Sequence, residues 1–267
     1  MGDKITFSFG RNWKHFLSTV TNEKLSIAKE SIIDFTGKDD FTGKTVFDIG
    51  SGSGIFSFCM NSMGANKLVS IDVDPFSVEC TKHMWENAKA PENWAVHEDS
   101  VLSNNLKDKY GTFDVVYSWG VLHHTGDMWK AISNSASLVN RGGLYYIAIY
   151  NGVTGVFGSK FWTKVKRWHN RSPFIGKYVL ESSYMITFFI SSLLKGRNPL
   201  KIIREYKQKR GMNWRRDVTD WVGGYPYESA TIEEIFRYVN MNFPDFRLKN
   251  VKSTNGLGNN WFLFERD

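Results

Sequence analysis

The run Asp48-Ile49-Gly50-Ser51-Gly52-Ser53-Gly54 constrains this chain more than any other stretch. It follows residues 45–49, which read as a strand, and precedes residues 55–63, which read as a helix closed by Gly64. Glycines at alternate positions let the backbone take positive φ and pack closely against a ligand. A strand–turn–helix unit of this kind sets the ligand at the carboxyl edge of a sheet, where a nucleotide or nucleoside belongs. The spacing is GxGxG with an acid in the strand end, not the GxGxxG dinucleotide fingerprint. No Gly-Lys-Ser/Thr follows, so it is not a Walker A loop. Taken alone, such a run is also compatible with an ordinary tight turn.

From residue 44 onward, strands alternate with helices. Strands are expected at 67–71, 94–97, 113–118 and 144–150, and helices at 75–88 and 128–139, the last stopped by Asn140-Arg-Gly-Gly143. This alternation predicts a doubly wound α/β sheet. A helix starting near Thr21 and ended by Gly37 precedes it. After Asn151 the pattern changes: residues 152–225 read as helical, basic and aromatic. Thr231 and Glu234 then have capping-box spacing, and two closing strands are expected at 246–253 and 260–264. The chain thus divides into an N-terminal helical cap (1–43), a cofactor-binding core (44–151), a helical insert (152–225) and a C-terminal helix with closing strands (226–267).

Asp72 ends the second strand, where an acid can take both hydroxyls of a ribose. Asp99 and Ser100 follow the third strand and can read an adenine amino group. Asp74 and Asp114 are expected to be a helix cap and a strand-edge charge. With these residues in view, 44–151 resembles the class I S-adenosylmethionine-dependent methyltransferases. The matching stretches are 46–54, 70–75, 98–102, 113–125 and Arg141-Gly-Gly143. The resemblance implies a Rossmann-like methyltransferase fold: seven strands, the last antiparallel, here with a mostly helical insert after strand five. It also implies that Asp48, Gly50 and Gly52 flank the methionine part of the cofactor, that Asp72 holds the ribose and Asp99 the adenine amine, and that Ser51, Val73 and Ser100 belong to the same cofactor-binding set. Trp119 and Gly120 would sit beside the cofactor, and Trp13, with Phe9, can fold over it as a lid or anchor the first helix. The flanks Phe9–Trp13, Ser118–Thr125 and Asp220–Glu228 resemble a bacterial and phage-type subgroup of that superfamily, which leaves the acceptor open.

Methyl transfer asks the protein mainly to align the nucleophile and exclude water, and an oxygen nucleophile also gains from a general base. His123 and His124 follow strand four on the active edge, so one of them can take the proton. The alternative is that they only order the loop. Tyr150 and Asn151 close strand five and can touch substrate, or simply pack at the strand end. Tyr225 and Tyr227, with Asp220 and Glu228, surround the Gly223-Gly224 turn and are equipped to grip hydroxyl groups.

The net charge of +7 conceals an uneven distribution: residues 151–216 carry 15 Lys/Arg and 2 acids, and the rest 19 and 25. A local basic excess suits an acidic substrate, an anionic surface or nucleic acid, or is a solvated helix face. Only Cys59 and Cys80 are present, in no metal-ligand spacing, so no metal is expected and a reducing, cytoplasmic setting fits. No secretory signal or membrane span is expected. The leading expectation is an enzyme methylating a small or saccharide-like anionic acceptor at oxygen. Nucleic acid ranks behind it, because Ser118-Trp-Gly-Val121 stands where amino-methylating base enzymes carry Asn/Asp-Pro-Pro-aromatic, and neither cysteine follows a proline. A third reading is peripheral membrane contact through residues 178–194, flanked by Lys177, Lys195 and Arg197. A buried lid helix is the preferred expectation for that segment. A cofactor-binding module without activity, of either oligomeric state, is the remaining alternative.

Overall fold

The computed structural model describes Phe7, Gly10, residues 20–210 and residues 214–267, with the side chains of 207–210 excepted. Trp13 and Phe9, expected to act as a lid, lie outside the described residues.

Seven strands form one sheet in the order β3-β2-β1-β4-β5-β7-β6. They are β1 (Thr45–Ile49), β2 (Lys67–Asp72), β3 (Trp94–Glu98), β4 (Phe113–Trp119), β5 (Val139–Tyr150), β6 (Phe246–Lys252) and β7 (Asn259–Arg266). Pairings among β1 to β5 are parallel, whereas β7 runs antiparallel to both β5 and β6. The chain winds outward from β1 in one direction and then from β4 in the other. The carboxyl ends of β1 and β4 therefore flank a switch point, the place where such sheets hold ligands.

Strand side chains alternate between two apolar layers. Val46, Leu68, Val115 and Tyr146 pack beneath α1 (Asn22–Thr36), α2 (Ile55–Ser62) and α3 (Pro75–Asn87), meeting Ile32, Met60 and Met84. Phe47, Val69, Val116 and Ile147 face the other way, and their layer includes Leu106 of α4 (Leu106–Tyr110), Ile132 of α5 (Met128–Ser137) and Ile235 of α10 (Ile232–Asn242). The helix ends follow the sequence. Thr21 caps α1 and Gly37 closes it at φ 67°, Asp74 caps α3 with Pro75 in its first turn, and Thr231 and Glu234 form the capping box of α10. Asp114 is a strand-edge acid that accepts from Thr45 N and Oγ1.

Two local features differ from expectation. Residues 140–143 belong to β5 and do not precede it: Phe113 pairs with Val139 and Val115 with Leu144, so the intervening residues bulge out of register. A Cβ on Gly143 would come within 2.8 Å of the Asn140 carbonyl, which is why the bulge needs glycine there. Helix α4 is a single short turn, too brief to show a helical period in the sequence.

The insert consists of α6 (Ser159–Arg171), α7 (Phe174–Leu194), α8 (Pro199–Arg210) and α9 (Trp214–Gly223). It is anchored at the carboxyl end of β5, where Asn151 bridges Ala230, and Ala230 N donates to the Tyr150 carbonyl at 3.0 Å. The expectation that residues 178–194 form a buried lid helix is corrected here: Ser192 is the one buried residue of α7. The interior of the insert is filled instead by Trp162, Tyr184 and Trp221, whose rings lie 5.3–5.7 Å apart, and most of the aliphatic stripe of α7 faces outward.

Candidate active site

The glycine loop is held from three sides. Gly50, Gly52 and Gly54 all take positive φ (73°, 55° and 76°). At Gly50 a Cβ would also overlap the Val121 side chain, so this glycine permits both the turn and the close approach of the β4 loop. Gly50 N and Ser51 N donate to the Ile71 carbonyl, and Ser51 Oγ lies 2.8 Å from Thr81 Oγ1, tying the loop to α3. Asp72 completes the clasp: Oδ2 accepts from Gly52 N at 3.0 Å and Oδ1 from Asp74 N at 2.9 Å. Burial pushes the Asp72 carboxyl up to about 6, with the N–H donors of Asp74 and Gly52 opposing the shift.

Asp48 lies beneath the loop and not on its surface. It is buried, it accepts from Ser57, and Ser57 in turn meets Ser70 Oγ at 2.8 Å, to which Trp94 Nε1 donates. Burial raises its carboxyl to about 7, against the Ser57 hydrogen bond. Val73, beside Asp72, is 62% exposed, an apolar side chain open at the sheet edge. Asp99 is heavily engaged: Oδ1 accepts from Ser100 N and Ser103 Oγ, and Oδ2 from Lys109 Nζ and Tyr110 Oη. Burial raises its pKa, but those donors outweigh it and bring the carboxyl down to about 2. Ser100 Oγ accepts from Leu102 N. Trp119 packs edge-on against Trp261 at 5.8 Å, and Gly120, at φ 76°, donates to the Ala148 carbonyl.

The second half of the site brings together residues far apart in sequence. His123 and His124 lie on a short 3₁₀ turn (Leu122–His124) after β4. The His123 ring stands 4.0 Å from that of Tyr150, and Tyr150 is 5.1 Å from Tyr227 and 5.7 Å from Trp221. Glu228 N donates to the His123 carbonyl, so the Gly223–Glu228 turn docks directly on the histidine pair. The hydrogen bonds define the tautomers. Tyr150 N–H can only donate, so His123 Nδ1 accepts (3.2 Å) and its proton sits on Nε2. The Pro226 carbonyl can only accept, so His124 Nδ1 carries a proton toward it (2.5 Å). Burial, then the charges of His124 and Lys166, holds His123 well below the usual imidazole range. Burial brings His124 down to about 3 despite the Pro226 bond. Both imidazoles are neutral and weakly basic.

The remaining expected substrate residues differ in their commitments. Asn151 spends its amide on the β6–β7 hairpin: Nδ2 donates to the Thr254 and Gly256 carbonyls, and Oδ1 accepts from Asn260. Tyr225 Oη accepts from Arg167 Nε at 3.0 Å. Tyr227 is buried, and its hydroxyl makes no hydrogen bond of ordinary length. Four buried side-chain polar atoms among the described residues make no hydrogen bond of ordinary length, and three of them are at this edge: His123 Nε2, Tyr227 Oη and Asn259 Oδ1, with the Ala148 backbone close to the His123 ring and Ser159 close to the Tyr227 hydroxyl. Buried polar atoms without such a bond are rare in folded proteins, and their concentration at this edge makes it the candidate place for polar ligand groups.

Lys166 is a buried candidate site residue that the sequence pattern did not single out. Fully buried in α6, its Nζ donates to the Trp221 carbonyl and lies 4.1 Å from the Trp221 ring centroid and 4.8 Å from that of Tyr227. Burial lowers the ammonium to about 7, with Asp220 partly opposing. Lys160 and Lys164 on the same helix are exposed. The available signal was spacing: Trp162, Lys166 and His169 fall at i, i+4 and i+7, one helical face, and that face points inward.

The switch-point loop, the strand order with β7 reversed and the acid after β2 together define a Rossmann-like S-adenosylmethionine-dependent methyltransferase domain. A family model described as a methyltransferase domain matches residues 22–237, and the chain belongs to that family. It is 27% identical over 141 residues to the ubiquinone biosynthesis O-methyltransferase of Mesorhizobium japonicum, covering 51% of this chain and 54% of that protein. It is 32% identical over 111 residues to the tRNA U34 carboxymethyltransferase of Campylobacter hominis, covering 40% and 36%. The chain thus spans about half, or less, of the length of these curated relatives. The crystal structure of magnesium protoporphyrin IX methyltransferase from Synechocystis with bound SAH shares the fold, with a TM-score of 0.54 at 14% identity over 91% of this chain and 83% of that one. These relatives are named for unlike acceptors, so the likeness does not give the acceptor. No helix among the described residues is long and apolar enough to cross a membrane.

Proposed function

We propose that this protein transfers the methyl group of S-adenosylmethionine to an oxygen atom of a small or saccharide-like, anionic acceptor. The observation that carries the proposal is the set of buried polar atoms without a hydrogen bond of ordinary length, beside a buried lysine, at the carboxyl edge of β4 and β5. When bound, S-adenosylmethionine supplies an electrophilic methyl carbon whose bond to sulfur breaks with both electrons staying on sulfur. Gly50, Ser51 and Gly52 would line its methionine end, with Asp48 fixing the loop from beneath. Asp72 would take the ribose through the lone pair left after its carboxylate accepts from the N–H groups of Gly52, Asp74 and Val73. Exposed Val73 would cover one face of the adenine. Asp99 and Ser100 fit the adenine amine less directly, because the Asp99 oxygens already accept four hydrogen bonds. Trp119 and Gly120 would border the reacting end.

The proton of the acceptor hydroxyl would go to Lys166 Nζ and not to a histidine. A general base works best with a pKa near the working pH. Lys166 is held at about 7 and His124 at about 3, while the His123 lone pair is already taken by Tyr150 N–H. The histidine pair then orders the loop and frames the acceptor with Tyr150 and Tyr227. Residues 152–225 would choose the acceptor, their 15 Lys/Arg against 4 acids favouring a phosphate- or carboxylate-bearing molecule. A lipid-like acceptor is the second reading, favoured by the outward apolar face of α7. The test is calorimetry with S-adenosylmethionine, then a screen of labelled methyl transfer into hydroxylated anionic metabolites. Binding followed by label in an ether or ester is expected. Absence of binding overturns the donor, and label on nitrogen or carbon overturns the acceptor atom.

A further inference from the structure

Helix α7 presents a long apolar stripe to the outside. Ile175, Val179, Ile186, Ile190 and Leu194 are all more than half exposed and recur at helical spacing, with Phe174, Tyr178 and Leu193 beside them. Its 21 residues extend roughly 30 Å. Exposed apolar patches of that size mark interaction surfaces and are not left open to water without reason. The polar side chains along the stripe hide their polarity: Ser183 Oγ donates back to the Val179 carbonyl and Thr187 Oγ1 to the Ser183 carbonyl, both at 2.8 Å. That is how hydroxyls are accommodated on helices facing a nonpolar medium. The one acid of α7, Glu181, turns inward to His169 and Thr219.

The surroundings of the stripe select its partner. Cations stand at both ends, Arg171 before α7 and Lys195 and Arg197 after it, all exposed. Helix α6 interleaves exposed Phe161 and Trp168 with exposed Lys160, Lys164, Arg167 and Arg171, preceded by Val156 and Phe157 at 82% and 72% exposure. Of the other acids of the insert, Glu205 pairs with Lys201 and Asp217 accepts from Tyr206. A second copy of this chain would bring two strongly cationic segments together, whereas an anionic partner neutralises them. We propose that α6 and α7 form a docking face for an anionic lipid bilayer, with the stripe of α7 lying in the interface and the cations among the headgroups. Aromatic and aliphatic groups on one side with Lys and Arg beside them suit that boundary. The attachment is peripheral, since no described helix is long and apolar enough to span. It does not depend on which acceptor the catalytic edge takes.

Vesicle co-sedimentation tests this directly, with phosphatidylcholine vesicles against the same vesicles containing about a third phosphatidylglycerol. The wild-type chain is expected to bind the anionic vesicles at least about ten-fold more tightly than the neutral ones, with binding weakened by high salt. The double variant Ile186→Asp, Ile190→Asp is expected to lose about ten-fold or more of that binding. It should keep its circular dichroism spectrum and its S-adenosylmethionine affinity, because both side chains already face solvent. Lys160→Gln with Lys164→Gln is a milder second variant, expected to reduce binding to anionic vesicles alone. No binding by the wild-type chain, or equal binding by the Asp variant, overturns the proposal. So does a dimer in sedimentation equilibrium that the Asp variant dissociates, which would mean that a second copy covers the stripe.

Discussion

Replacing Lys166 with Met separates the cost of the buried ammonium from everything else in the insert. The side chains have similar length, and a thioether sits well between the Trp221 and Tyr227 rings. In the unfolded chain Lys166 titrates at the ordinary 10.5, and in the folded chain at about 7. Between those values the unfolded state holds the extra proton, so stability rises with pH across the window. Below the folded value both states are protonated, and the fold bears the whole penalty of the buried charge. From about pH 7 to about pH 9, with the folded group already half titrated at the lower end, differential titration stabilises the wild-type fold by ~2 kcal/mol. Met does not titrate. It loses the bond to the Trp221 carbonyl, a cost of ~1–3 kcal/mol that does not vary with pH. The other titrating groups are common to both proteins and cancel in the difference. Urea unfolding followed by circular dichroism at several pH values should therefore show the wild-type chain gaining ~2 kcal/mol on Lys166→Met between about pH 7 and 9. A difference flat to within about half a kcal/mol across that range would mean that the lysine is not held in a desolvated site, and its assignment as proton acceptor would fall with it.

Asp72→Ala should weaken S-adenosylmethionine binding by ~1–3 kcal/mol in calorimetry, the cost of leaving hydrogen-bonding groups unpaired; unchanged affinity in a folded variant removes the ribose role. Gly50→Ala should abolish cofactor binding, and adding Val121→Gly should restore only part of it, because the double variant clears the overlap but keeps ~1–2 kcal/mol of left-handed backbone strain. Full restoration would show that strain at φ 73° is unimportant. His123→Ala should lower stability by ~1–3 kcal/mol by removing the buried hydrogen bond from Tyr150 N–H while sparing cofactor affinity, as denaturation and calorimetry would show; an undiminished midpoint would deny the histidine its ordering role.

The parts of this protein that were legible in its sequence are those set by neighbouring residues. The β1–loop–α2 unit shows because period, glycines and the strand-end acid all fall within ten positions of one another. The caps at Thr21, Asp74 and Thr231 show because a cap and its helix are contiguous. The bulge at 140–143 does not show, since its glycines suit a helix stop equally well and only the pairing of Val115 with Leu144 decides between the two.

The acceptor half of the site is illegible for a stronger physical reason: its properties belong to contacts made across long sequence separations. A histidine pair after β4 suggests a base, yet basicity depends on which nitrogen carries the proton and how dry the ring is. Those are decided by Tyr150 N–H, by the Pro226 carbonyl and by the burial that the returning turn imposes. Lys166 reads as one more cation in a basic helix until Trp221 and Tyr227 close over it. The same logic applies to α7. Its pattern states that one face is apolar, but burial depends on what else fills the space, and in the insert Trp162, Tyr184 and Trp221 fill it first. A charged side chain pulled inward and an aliphatic stripe pushed outward are thus two results of one packing decision. The aromatic wall that dries Lys166 also occupies the interior that α7 would otherwise use, leaving the apolar stripe of that helix exposed.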